Sequence, residues 1–74
     1  MPRYFFNIQD GQSNDDDEEG CELPSLDEAR AQAVLAAGEM LKDKGRELWP
    51  GSEWRMTVID ETGEVACLLR FIAS

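Results

Sequence analysis

Carboxylates are the groups in this chain most able to do chemistry. Five of them stand together, Asp15, Asp16, Asp17, Glu18 and Glu19, and Gly20 follows. Asp15, Asp17 and Glu19 hold the first, third and fifth places of a segment whose sixth place is Gly, which is how an EF-hand loop offers oxygens to calcium before turning sharply. The match then stops. The twelfth place, which needs a bidentate Glu, is Leu26, and no helical pattern precedes the run. A solvated charge run is the expectation, with weak calcium binding by Asp15, Asp17 and Glu19 as the alternative; no other metal site and no cofactor is expected.

Other catalytic chemistry is sparse. Histidine is absent, which removes the commonest general base and leaves no Ser-His or Cys-His pair. Neither GxxxxGK[ST] nor GxGxxG occurs, so the usual nucleotide cradles are missing. Cys21 and Cys67 have no CxxC spacing and no secretory context, and the expectation is a pair of free thiols that behave as small hydrophobes. A chain of 74 residues has little room to enclose a ligand pocket. The expectation is a protein that is not an enzyme.

Composition narrows the partners. Sixteen acidic residues against seven basic ones leave a net charge of −9, with 42% of residues apolar, the mixture of a folded domain rather than a disordered chain. Binding phosphate backbones needs clustered Lys and Arg, whereas here the cations are scattered, so direct nucleic-acid binding is not expected. Docking on an anionic membrane is disfavoured by the same charge. The N-terminus shows no apolar segment with a cleavage site, and no run approaches membrane-spanning length. A cytoplasmic location follows as the default.

The elements that would carry any site come next. Tyr4, Phe6 and Ile8 alternate with Arg3, Phe5, Asn7 and Gln9, the two-residue period of a half-buried strand. Residues 11–20 read as an acidic loop, mobile or at most a poor strand, and Gly20 to Pro24 as a short extended piece. Ser25-Leu26-Asp27-Glu28 matches a capping box at a helix start. The helix then places Leu26, Ala29, Ala33, Ala37, Met40 and Leu41 on one stripe, and Gly45 is a plausible breaker at its end, with Lys42, Lys44 and Arg46 near its negative pole. Trp49-Pro50-Gly51-Ser52 reads as the connection to the next strand. Glu53 to Asp60 alternates with Trp54, Met56 and Val58 on one side, and Glu64 to Ile72 with Val65, Cys67, Leu69 and Phe71 inward. Asp60-Glu61-Thr62-Gly63 supplies a hairpin turn between them. The fold class is therefore α+β over a single small domain, residues 1–74: an antiparallel sheet of three strands, or of four if the weak second segment pairs, and one helix across one face, in the order β-(β)-α-β-β.

One helix covers only one side of a sheet. Phe5, Ile59, Leu68 and Ile72 fall on the other side, and Val34 and Leu35 fall off the helix core stripe. A contiguous apolar patch on a small domain marks an interface more often than chance, and these six residues are the interface candidates.

Pro2-Arg3-Tyr4-Phe5-Phe6, Asp10-Gly11, Glu19-Gly20-x-Glu22-Leu23-Pro24-x-Leu26, the Ala-rich helix and Val58-x-Asp60-Glu61-x-Gly63 leading to Phe71 together resemble a bacterial family of short stand-alone proteins catalogued only as a domain of unknown function. The resemblance spans nearly the whole chain. It implies a small α+β fold and a bacterial cytoplasmic setting, and it brings no activity or site residues. Asn7 stands where that family frequently has His, and Gln12-Ser13-Asn14 where it more often has apolar residues.

The first functional expectation is a non-enzymatic interaction module whose partner is itself or another protein, most simply a homodimer. The second is a weak calcium-binding or acidic regulatory domain acting through residues 15–19. A third is an acidic mimic of nucleic acid that occupies a nucleic-acid-binding protein.

Overall fold

Alternation produces the strands as expected. A computed structural model describes residues 1–11, 13–46 and 53–73, so the expected connection at Trp49 to Ser52 lies outside the described residues. Strand β1 is Arg3–Asp10, β2 Ser13–Asp15, β3 Cys21–Glu22, helix α1 Leu26–Leu41, β4 Glu53–Asp60 and β5 Val65–Ile72. All pairings are antiparallel, and the sheet runs β2-β1-β4-β5, with β3 also paired to β1. This is the α+β architecture expected; the strand order, which alternation leaves open, puts the first strand between the hairpin and the weak edge. That edge is two short pieces: β2 pairs with the Ile8–Asp10 end of β1 and β3 with Arg3 and Tyr4.

The core lies between α1 and one sheet face. Trp54, Met56 and Val58 are essentially fully buried, beside buried Tyr4, Leu23 and Ala73. Each such large side chain contributes roughly 1.5–3 kcal/mol by leaving water. From the helix only Ala29, Ala33 and Ala37 are buried, because methyl side chains let the helix backbone sit close on the strands. Leu26 and Met40, expected on that stripe, flank it and stay 39% and 42% exposed.

Local chemistry sets the boundaries of the elements. Ser25 is extended (φ −157°, ψ 165°) and its hydroxyl accepts the Glu28 N–H at 3.1 Å, the forward half of the capping box. The Glu28 carboxylate accepts from the Gln32 side-chain amide at 3.4 Å rather than returning to Ser25. The helix ends at Leu41, with the Lys42 N–H on the Gly38 carbonyl and the Lys44 N–H on the Leu41 carbonyl. The Lys44 ammonium, 2.7 Å from Asp10, ties the helix end to β1.

The β4–β5 hairpin closes around Asp60. Its carboxylate accepts from the Thr62 N–H and hydroxyl and from the Glu64 N–H, at 2.9, 2.5 and 3.1 Å. Gly63 takes the positive φ of +90° that the turn needs. The ladder is irregular just beyond: Val58 pairs with Cys67 and Ile59 with Val65, leaving Ala66 as an extra residue. This bulge corrects the expected inward set of β5. Val65 is 62% exposed and Ala66 packs against the core instead, since one inserted residue breaks the alternation of side chains between faces.

Candidate interaction surfaces

The six interface candidates do not form one patch. On the open sheet face, cross-strand register sets Phe5 beside Ile59 and Ile59 beside Val65 in one row, then Asn7, Thr57 and Leu68, then Gln9, Arg55 and Arg70, and finally Glu53 and Ile72. Phe5 and Ile59 are half-buried, while Leu68 and Ile72 are about half exposed. Ile72 is cut off from the others by charge. Arg55 and Arg70 are direct cross-strand neighbours, and the Glu53 carboxylate bridges them, accepting from Arg55 at 2.8 and 3.1 Å and from Arg70 at 3.2 and 3.4 Å. These bonds, those of Arg55 first, hold the Glu53 carboxyl below its usual range.

Val34 and Leu35 lie on the helix, 62% and 61% exposed. Val34 lines an apolar groove of about 300 Å³ between α1 and the sheet, together with Gly38, Leu41, Trp54, Leu69 and Phe71. Phe71 is 46% exposed there. Neither Phe71 nor Val65 was among the sequence candidates. Strict alternation assigned both to the core, and no polar residue interrupts Val65 to Leu69 to signal the bulge.

The groove runs beside β5, and β5 is an edge: among the described residues no strand pairs with its outer side. Eight residues long, it carries a single charge, Arg70. A long apolar edge of this kind offers a row of backbone donors and acceptors to another strand.

The opposite edge is closed by its own side chains. Between β2 and β3 the chain bulges outward, and Asp17 turns back in. Its carboxylate accepts the N–H groups of Phe6, Glu19 and Gly20 at 3.2, 3.3 and 3.0 Å, while its own N–H donates to the Asn7 side-chain oxygen at 2.9 Å. The Phe6 N–H, which faces the gap in the edge strand, thus finds a carboxylate where a strand carbonyl would stand. Arg3 closes the other side, donating to the Glu19 carbonyl at 2.7 Å and pairing with Glu22 at 3.0 Å. Gly20 sits at φ +74°, and a Cβ there would meet Arg3 Cγ, Phe5 Cε1 and the Tyr4 carbonyl oxygen, each at 2.9 Å.

This architecture also places the calcium candidates. Asp15 is exposed in β2, Asp17 is turned toward β1, and Glu19 is exposed beyond it. Among the described residues, no three His, Cys, Asp or Glu side chains are grouped so as to hold a metal ion. The loop does form the rim of an open cleft of about 640 Å³ whose floor is Phe6, Ile8 and Met40. Both thiols are free, and burial pushes the Cys67 thiol upward, toward its protonated form. Cys21 in β3 and Cys67 in β5 are separated by β1 and β4, about 14 Å at ordinary strand spacing, beyond the reach of a disulfide.

The family model described as a domain of unknown function (DUF6894) matches residues 3–72, and the chain belongs to that family. No curated protein and no solved structure matches the chain. No helix among the described residues is long and apolar enough to cross a membrane.

Proposed function

We propose that this member of the family is a non-catalytic protein-interaction domain that associates with itself through the β5 side of the molecule. The observation that carries the reading is the contrast between an unguarded β5, apolar apart from Arg70, and a chain whose net charge is −9. Self-association of so acidic a protein is opposed by like-charge repulsion. It is least opposed where the acids are fewest, and Val65, Leu68, Phe71 and Ile72 along β5 are all exposed there. The nearby flank of α1 adds Val34, which is also exposed.

Light scattering over a wide range of protein concentration tests the reading. The expected result is a mass rising toward twice the 8.3 kDa of one chain. A mass of one chain at every concentration would reject it.

A further inference from the structure

Backbone direction along β5 can be read from two hydrogen bonds. The Gly11 N–H donates to the Glu53 carbonyl across β1 and β4, and the Asp60 N–H donates to the Glu64 carbonyl across the β4–β5 turn. In an antiparallel ladder, one residue points both its N–H and C=O to one neighbour and the next residue points both to the other. Glu53, Arg55, Thr57 and Ile59 therefore bond β1, while Trp54, Met56 and Val58 bond β5. Their partners Phe71, Leu69 and Cys67 turn their backbone groups inward. Leu68, Arg70 and Ile72 turn theirs to the open edge.

We infer that the second copy pairs antiparallel along this edge about a two-fold axis at Leu69, making one continuous sheet across the dimer. This rests on the self-association proposed above and adds its register. A two-fold axis perpendicular to the sheet keeps both helices on one face and sets outward residues opposite outward residues. Centring on Arg70 would place two guanidinium groups directly opposite, a destabilising cross-strand pair. Centring on Leu68 would set Arg70 opposite Ala66, inside the bulge where the ladder is irregular. Centring on Leu69 sets Leu68 opposite Arg70 of the second copy in a hydrogen-bonded pair, twice over. It also aligns Leu69 with its twin and Cys67 with Phe71 of the second copy on the helix side.

The helices fit this arrangement. Helix α1 packs on both β4 and β5, so the two copies of α1 stand about two strand spacings apart, ~10 Å. Packed helices lie 8–10 Å apart. The flanks that meet carry Val34 and Gly38, and a Cβ added at Gly38 would have no atom within 4 Å, so the space is open to a second helix. The groove over Leu69 and Phe71 is then roofed by the second copy.

Disulfide trapping tests the register. Leu68→Cys and Arg70→Cys are prepared as separate proteins, each with Cys21 and Cys67 changed to Ser; both positions are exposed, so circular dichroism should show an unchanged fold. Mild oxidation of the mixture should trap a mixed 68–70 dimer, because directly opposite residues in a hydrogen-bonded pair lie about 5.5 Å apart between Cα atoms. Either variant alone should trap little, since its Cys lies two residues out of register with its twin. A protein that has dimer mass by light scattering but traps no mixed dimer would overturn the register and leave self-association standing. A monomer mass for the unaltered protein at every concentration would overturn both.

Discussion

The two edges of this sheet handle the same problem in opposite ways. An edge strand exposes unpaired backbone groups, and natural domains blunt it with short strands, bulges and charge. The β2/β3 edge has all three: pieces of three and two residues, an outward loop between them, and a run of acids. Asp17 completes the protection by taking the amide of Phe6 that the broken strand leaves open. The β5 edge, eight residues long with one charge, has only the irregularity at Ala66, near its start. One edge is covered by its own chain and the other carries no further strand among the described residues, which is why the proposal places association at β5.

Breaking the closed edge should have the largest effect. Gly20→Ala places a methyl group against the Tyr4 carbonyl at a positive φ, and a loss of about 2–4 kcal/mol is expected by urea unfolding. Unchanged stability would mean the loop does not hold the conformation described. Asp17→Ala removes the acceptor for three N–H groups and should cost about 1–3 kcal/mol. Asp17→Asn, which keeps one oxygen, should cost less, and equal losses would show that packing rather than hydrogen bonding holds the loop.

Changes on the open edge should separate association from stability. Leu68→Lys adds charge to an exposed position and should alter folding stability by no more than about 0.5 kcal/mol, while sharply weakening self-association measured by sedimentation. Loss of stability with association intact would reverse the roles given to the two edges. The smallest effect is electrostatic. Asp60 and Glu53 are both held below their ordinary values of 3.8 and 4.5, Asp60 chiefly by the Thr62 hydroxyl and Glu53 by Arg55 and then Arg70. Depressed carboxyl values mean that the unfolded chain takes up protons first. This stabilisation is full above the ordinary values and is lost as pH falls through them toward the folded ones. Asp60→Asn should flatten that acid limb in thermal melts at graded pH, and an unchanged limb would remove Asp60 from the account.

Much of the fold was legible in the sequence, because alternation in Arg3–Asp10 and Glu53–Asp60 and the Ser25 cap are local signals. What escaped depends on neighbours. Asp17 is one acid among five until Asn7 and the Phe6 amide are brought beside it, so a residue that closes the sheet edge looked like one more solvated charge. The Ala66 bulge is hidden because β5 is apolar at nearly every position, and a slip of one residue exchanges one hydrophobe for another. Strand order is absent from alternation altogether. Of the sequence candidates, Leu68, Ile72, Val34 and Leu35 are exposed, and the proximity of the first three to one sheet edge became visible only in the assembled sheet. Phe5 and Ile59 lie a strand or more inside it, and Leu35 sits on the helix away from the groove.

Amide hydrogen exchange at low and high protein concentration tests the role of β5 most directly. The N–H groups of Leu68, Arg70 and Ile72 point to the open edge, whereas those of Cys67, Leu69 and Phe71 are already bonded to β4. The account predicts that the first set, with Leu68 and Arg70 foremost, becomes protected as concentration rises while the second set is protected throughout. If Leu68, Arg70 and Ile72 exchange at the same rate at every concentration, β5 is not where this protein meets its partner.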